Sequence, residues 1–427
     1  MAELEYGKKI ELEGGKGSVT IISKLGEGGQ GYVYKVDHRG RQMALKWYKK
    51  GVFRNADKFK ENLNNNIKEK APTDKFLWPI AITQNYDGTF GYIMELRPSG
   101  YYELSDFLIG KTEFASIDIM LKAAIEIVDS FRILHNKGFS YQELNDGNFF
   151  IDPQTGNVLI CDNDNVSQFG DGSGIAGKCR YMAPAVILGM EGTPNKRTDL
   201  FSLAVILFLI LLRNHPLEGE NVTRKAVMTE QIQKKYYGES PVFIADPIDT
   251  SNRPVHGVHN NFITRWPQMP DYIQNAFITA FKKDVMLENK VGVTEKEWLQ
   301  YLLRFRAEVN ICPNCGRETR YTPDITSCVC CKQNIPNYGY IKTPYYNIPI
   351  FSKKELVEAY FTDCYDHNEA SHQIGTISMN KSRTKASLVN EDIDPWNVNN
   401  TLIPNGERLI ISNGMRFRLY SENVEIL

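Results

Sequence analysis

With 427 residues the chain exceeds one ordinary domain, and two or three are expected. Its composition is that of a soluble globular protein, 42% hydrophobic and 24% charged, and a formal charge of −1 with pI near 6.7 leaves no global field favouring nucleic acid or an anionic membrane. The polar start MAELEYGKKIELEGG lacks a signal-peptide core, and the longest apolar run, Leu203 to Leu212, falls short of the ~20 residues of a membrane span, so a cytoplasmic protein is expected.

In chain order, residues 17–50 alternate β-branched and aromatic residues with Gly-rich turns, which predicts three antiparallel strands. Asn55 to Lys70 is polar and helix-like. FLWPIAI and TFGYIMEL read as two further strands around an NYDGT turn. From Ser116 the spacing becomes helical, and helices are expected to about Val309. A Cys-rich insert covers roughly 310–336, IKTPYYNIPI reads as a Pro-interrupted linker, and the remainder to Leu427 is strand-like.

Several segments carry chemistry. GEGGQGYV places Gly26, Gly28 and Gly31 in a G-x-G-x-x-G frame, with Val33 two residues on. Glycines let the backbone approach phosphates, but the segment continues as strand, which argues against a dinucleotide-binding helix. MALKWY follows and matches V-A-I-K, so Lys46 would neutralise phosphates while Val33 and Ala44 cover a base. Glu61 is the preferred helix carboxylate to hold Lys46, with Glu69 as the alternative. YIMELRPSG reads as a strand-to-hinge connection, with Met94 behind the base and the backbone of Glu95, Leu96 and Arg97 beside it. LHNKGFSYQELNDGNFF then resembles L-H-x-x-G…H-R-D-L-x-x-x-N, with Asn148 five residues after Glu143 and Phe150 assigned to the nucleotide pocket. VLICDND, KCRYMAPA and TDLFSLAVILF resemble the D-F-G, A-P-E and following helix segments of protein kinases, a resemblance that implies magnesium at Asp162 and a catalytic loop braced by Asp199.

In this order the segments resemble a protein kinase. The expected architecture is α+β: a bilobal kinase fold over 17–308 (lobes 17–97 and 98–308), a four-cysteine zinc ribbon over 309–340, and an all-β sandwich-like interaction domain over 345–427. FLWPIAI, FGYIMELRP and GNFFIDPQTGNVLICDNDNV narrow the resemblance to bacterial kinases encoded with tellurium-resistance and stress genes. That resemblance implies a von Willebrand A-type protein and a metal-dependent Ser/Thr phosphatase as partners, beside a protein substrate.

The departures are specific. Glu143 replaces the reacting Asp and Gln142 the preceding Arg, so an activation-loop phosphate has no clamp. Asn163 and Asp164 replace Phe and Gly of D-F-G; Asp164 is expected at the surface, with a place at the metal as the alternative. Ser167 and Ser173 are the hydroxyls of the activation loop. Ala185 replaces the Glu of A-P-E, and its usual Arg partner falls near Gly292, or at Arg253. ATP and magnesium are the expected cofactors, with Lys46, Asn148 and Asp162 on nucleotide and metal and Glu143 aligning a Ser/Thr hydroxyl. A nucleotide-sensing pseudokinase scaffold is the rival reading, and small-molecule phosphorylation a third.

Five of the eight cysteines lie between Cys312 and Cys331. Cys312-x-x-Cys315 and Cys328-x-x-Cys331, twelve residues apart, have the spacing of a closed structural zinc site, with Cys330 spare. The tail faintly resembles a forkhead-associated domain, but Thr376 stands where its Arg is expected, leaving Ser382 and Arg383 as phosphate-reading candidates.

Overall fold

The computed structural model describes residues 3–53, 55–169, 177–191, 195–288, 290–363 and 369–427. Ser173 therefore lies outside the described residues. The chain begins with a twisted antiparallel sheet built from β1 (Lys9–Glu11), β2 (Ser18–Glu27), β3 (Gly31–His38), β4 (Arg41–Tyr48), β5 (Ala81–Ile82) and β6 (Gly91–Glu95), in the order β1-β2-β3-β4-β6-β5. Alternation gives the sheet two faces. Val19, Ile21, Tyr34, Val36 and Leu45 pack on one, while Ala44, Tyr48, Tyr92 and Met94 pack on the other. FLWPIAI contributes only β5 as strand. Its preceding residues run extended instead, with Leu77 N–H donating to the Ile160 carbonyl at 2.8 Å.

Helix α1 (Ala56–Glu69) starts where the Asn55 side chain accepts from Lys58 N–H at 3.0 Å. Phe59, Leu63 and Asn66, spaced i, i+4 and i+7, form its buried face.

The helical lobe begins with strand β7 (Tyr102–Glu103) and the short helix α2 (Leu104–Leu108), followed by α3 (Ile117–Asn136), capped by the Ser116 hydroxyl. Beyond β8 (Phe139–Ser140), the hairpin of β9 (Phe149–Ile151) and β10 (Val158–Ile160) follows Asn148 and leads into Asp162. The apolar run Leu203 to Leu212 belongs to the helix Lys196–Leu212, whose residues from Thr198 onward are buried. It is a central core helix, and no helix among the described residues is long and apolar enough to cross a membrane.

The last helix, Glu295–Glu308, lies against α3 and ends at the strand Val309–Ile311, which pairs with Glu318–Arg320 ahead of the second cysteine pair. The C-terminal region is all β. One four-stranded sheet contains Tyr340–Lys342, Asn347–Pro349, Arg416–Leu419 and Glu422–Ile426; another contains Glu355–Val357, Gln373–Met379, Ala386–Asn390 and Arg408–Ile411. The segment IKTPYYNIPI, expected as a linker, is therefore a hairpin in the first of these sheets. Pro349 closes an edge strand, where a missing N–H is tolerated.

The β region shares one continuous core with the helical lobe, from Trp298 and Leu302 to Leu356 and Tyr360. Polar ties reinforce it. Arg306, fully buried on the last helix, holds Asp118 of α3 at 2.9 Å and Glu355 at 2.5 Å. Burial alone would raise the Asp118 carboxyl, but Arg306 and Lys354 outweigh it and hold the group below its ordinary range. Ala370 N–H donates to Asp129 at 2.9 Å.

Candidate active site

Several of the predicted residues come together where the sheet meets the helical lobe. Gly31 sits against β4, where an added Cβ would lie 2.3 Å from the Trp47 carbonyl; at Gly26 and Gly28 it would meet nothing within 4 Å. Packing therefore explains the third glycine, while the first two stand over open space. Val33, Ala44, Met94, Leu96 and Phe150 fall in one apolar cluster with Tyr92 and Cys161. Arg97 stacks over the Phe150 ring at 3.9 Å and donates to the Tyr101 carbonyl at 3.1 Å, and Glu95 pairs with Arg41 at 2.7 Å. The five apolar groups form one patch beside Lys46, whose strand neighbour on β3 is Val33.

Lys46 is paired in register with Val33 on one side and Tyr92 on the other. Its ammonium reaches Asp164 at 2.9 Å and Asp162 at 3.2 Å. Burial works against its charge, but the two carboxylates prevail and raise its pKa. Glu61 is not the partner. It lies on the exposed side of α1, and Glu69 is exposed as well, because Phe59 and Leu63 turn the opposite face inward. Asp164, expected at the surface, is instead completely buried, accepting from Lys46 and from the hydroxyls of Tyr48 at 2.5 Å and Tyr92 at 3.2 Å.

Asp162 takes left-handed backbone angles, φ 59 and ψ 38, which turn its side chain back toward the cleft. Asn148 donates to it at 3.4 Å and accepts from Asn145 N–H at 2.7 Å. Asn163, in the Phe position of D-F-G, is buried and bridges the carbonyls of Leu77 and Ile160 at 2.9 and 2.8 Å. A polar stitch thus replaces an aromatic plug.

Glu143 accepts from Gln30 of the glycine-rich segment at 3.0 Å and from Asn165 at 2.8 Å. Burial and the nearby Asp162 charge push its carboxyl up to about 7. Below the loop, Asp199 accepts from Tyr141 N–H at 2.7 Å and meets His135 at 3.0 Å, so it does brace the loop geometrically. Gln142, left-handed at φ 63, donates to the Ser167 hydroxyl, which is buried. Ser167 is thus a structural partner and no accessible acceptor of phosphate. Ala185 and Gly292 line the same small cavity, so the expected ion pair is absent from both sides at once.

Sequence reasoning missed Tyr48, Tyr92, Gln30 and Asn165. Tyr48 was findable: two residues after Lys46 on a strand, it must share its face.

The four predicted zinc ligands also converge. The sulfurs of Cys312, Cys315, Cys328 and Cys331 lie within 4.8 Å of one another. Each pair closes through matching turns: Cys312 N–H donates to the Arg317 carbonyl at 2.8 Å and Cys328 N–H to the Gln333 carbonyl at 2.9 Å, with Gly316 and Lys332 left-handed. Four thiols so placed could hold a metal ion. In the tail, Thr376 donates to Glu391 at 2.8 Å, while Arg383 leans on Tyr338 and the Pro313 carbonyl, both at 3.4 Å.

A glycine-rich strand pair, a buried lysine on the next strand and an Asn–Asp pair thus meet where the sheet joins the helical lobe. The family described as Protein kinase domain matches residues 19–257, more than half of the chain, and the chain belongs to it. Similar proteins include a probable serine/threonine-protein kinase of Dictyostelium discoideum, 26% identical over 227 residues that make up 50% of this chain and 23% of that protein. The serine/threonine-protein kinase mos of Patiria pectinifera is 22% identical over 48% of this chain and 61% of its own length. The carbon catabolite-derepressing protein kinase of Saccharomyces cerevisiae is 25% identical over 48% of this chain and 32% of its own. The chain thus spans less than two thirds of each of these relatives.

Proposed function

We propose that the chain is a Ser/Thr protein kinase using ATP and magnesium. The observation that carries this reading is the convergence of Lys46, Asn148 and Asp162, with Glu143 on the same loop as Asn148. The donor set suits the group: a carboxylate and an amide at the cleft offer hard oxygens of the kind magnesium takes, and a lysine beside them meets phosphate. Bound magnesium would supply charge neutralisation on the transferring phosphate. Asn148 and Asp162 would hold it, Lys46 would orient the phosphates, and Glu143 would accept a hydrogen bond from the substrate hydroxyl and align it. Gln142 in the Arg position supports a kinase that needs no activation-loop phosphate.

A pseudokinase scaffold is the second reading, favoured by the hydrogen bonds from Gln30 and Asn165 that already engage Glu143. Phosphate transfer from labelled ATP decides between them, comparing the parent with Asp162→Ala and Glu143→Asp. Label lost in Asp162→Ala supports the enzyme. Nucleotide binding without transfer in the parent and in Glu143→Asp supports the scaffold.

The cysteine site is proposed to hold structural zinc, its four thiolates leaving no position for water. The motif resemblance further supports the tellurium-resistance kind of kinase, with a phosphatase and a von Willebrand A-type protein as partners and the β region as an interaction surface.

A further inference from the structure

Asp164 has a surrounding that an incidental carboxylate would not acquire. Its side chain is 0% exposed, and its two oxygens receive Lys46 at 3.0 and 2.9 Å, the Tyr48 hydroxyl at 2.5 Å and the Tyr92 hydroxyl at 3.2 Å. A charge taken out of water survives only when paired and hydrogen-bonded, and here every donor comes from one sheet face. Lys46 and Tyr48 alternate onto that face of β4, and Tyr92 stands opposite Lys46 on β6. Helix α1 reaches the same turn through neutral groups alone: Asn62 and Asn66 donate to the Val166 carbonyl at 2.9 and 2.8 Å.

We propose that Asp164 is the positioning residue for Lys46, supplying from the metal-binding turn the carboxylate that Glu61 was expected to supply from α1. The proposal rests on the kinase reading above and deepens it. Lysine and its anchor are then set by the sheet and a turn three residues long, so displacement of α1 does not disconnect Lys46. Asp164 also divides the work with its neighbour. It holds the ammonium in the interior, while Asp162, with a side chain 43% exposed, faces the cleft. Without the Asp164 charge, Lys46 is left with Asp162 alone and competes with a cation there.

The test is titration of a fluorescent ATP analogue in magnesium, with kinetics and melting measured alongside, on the parent, Asp164→Asn, Tyr92→Phe and Glu61→Gln. Asp164→Asn is expected to weaken nucleotide binding and raise the half-saturating magnesium concentration about tenfold, with the KM for protein substrate within about twofold of the parent. Glu61→Gln is expected to bind nucleotide within about twofold of the parent. Should Asp164→Asn fail to fold, Tyr92→Phe, which keeps the ring and leaves the Asp164 charge in place, carries the test: a lowered but still cooperative melting transition with about threefold weaker nucleotide binding is expected, and binding equal to the parent overturns the proposal. Equal binding by parent and folded Asp164→Asn overturns the proposal alone, as does loss of binding in Glu61→Gln. If the parent itself binds no nucleotide, the kinase reading falls and the proposal with it.

Discussion

Glu143 offers the sharpest test of the site's chemistry, because its carboxyl is displaced to about 7 by burial and by Asp162. On the proposed kinase reading the ionised form would accept the substrate hydroxyl, so activity should be low on the acid side and rise with pH. With a midpoint near 7, the ionised fraction climbs from about one tenth at pH 6 to about nine tenths at pH 8, a roughly tenfold gain in kcat/KM. An ordinary glutamate, with its midpoint near ~4.3, would give a flat profile over the same range. Gln30 favours the charged form through its 3.0 Å hydrogen bond, so Gln30→Ala moves the midpoint upward. The assay is initial-rate phosphorylation from about pH 5.5 to 8.5 with Glu143→Gln as control. A flat profile in the parent, or an acid limb that persists in Glu143→Gln, would refute the reasoning.

Other outcomes follow from packing and charge. His135, buried between Asp199 and Glu295, is opposed by burial, yet the two acids prevail and raise its pKa. Its stabilising charge is fully present below the unfolded value of ~6.5 and is lost as pH rises through the higher folded value; the melting temperature should therefore fall with pH above neutrality, less steeply in His135→Gln. Ala185→Glu overfills the small cavity that Ala185 shares with Gly292, Arg197 and Lys290 and should destabilise by about 1–3 kcal/mol in denaturant titrations, the steric cost outweighing attraction to the two cations. Metal analysis should find one zinc per chain, kept in Cys330→Ser and lost in Cys312→Ser, and chelation should loosen the turns after each cysteine pair. Arg306→Ala leaves Asp118 to Lys354 alone and Glu355 to solvent, and the loss of the buried guanidinium should cost roughly 1–3 kcal/mol.

Much of the site is legible in the sequence because its parts are fixed by motif order: glycines before a strand lysine, Asn148 five residues after Glu143, Asp162 after an apolar strand. What escapes is decided by rotation and register. Glu61 fails as the partner of Lys46 because it lies about 200° round α1 from Phe59, which the Phe59–Leu63 spacing could have revealed. Asp164 succeeds because a left-handed Asp162 redirects the next residues inward, and no local pattern announces that turn. The hairpin at Tyr340–Pro349 is hidden for a different reason: its prolines lower strand propensity, while its stability comes from pairing with Glu422–Ile426, some eighty positions on.

The shared core between the helical lobe and the β region changes what a truncation would do. The family match ends at residue 257, before the last helix supplies Glu295 to His135 and Trp298 to the lobe interior. Cutting after Glu308 would spare those residues but strip Glu355 from Arg306 and uncover the α3 carboxylates that Ala370 and Ser371 now cap. The kinase-family portion therefore has no clean seam at either place. Limited proteolysis should yield no stable kinase-sized core, and a gene fragment encoding only the recognised part would make an aggregation-prone polypeptide with its apolar interior open to water.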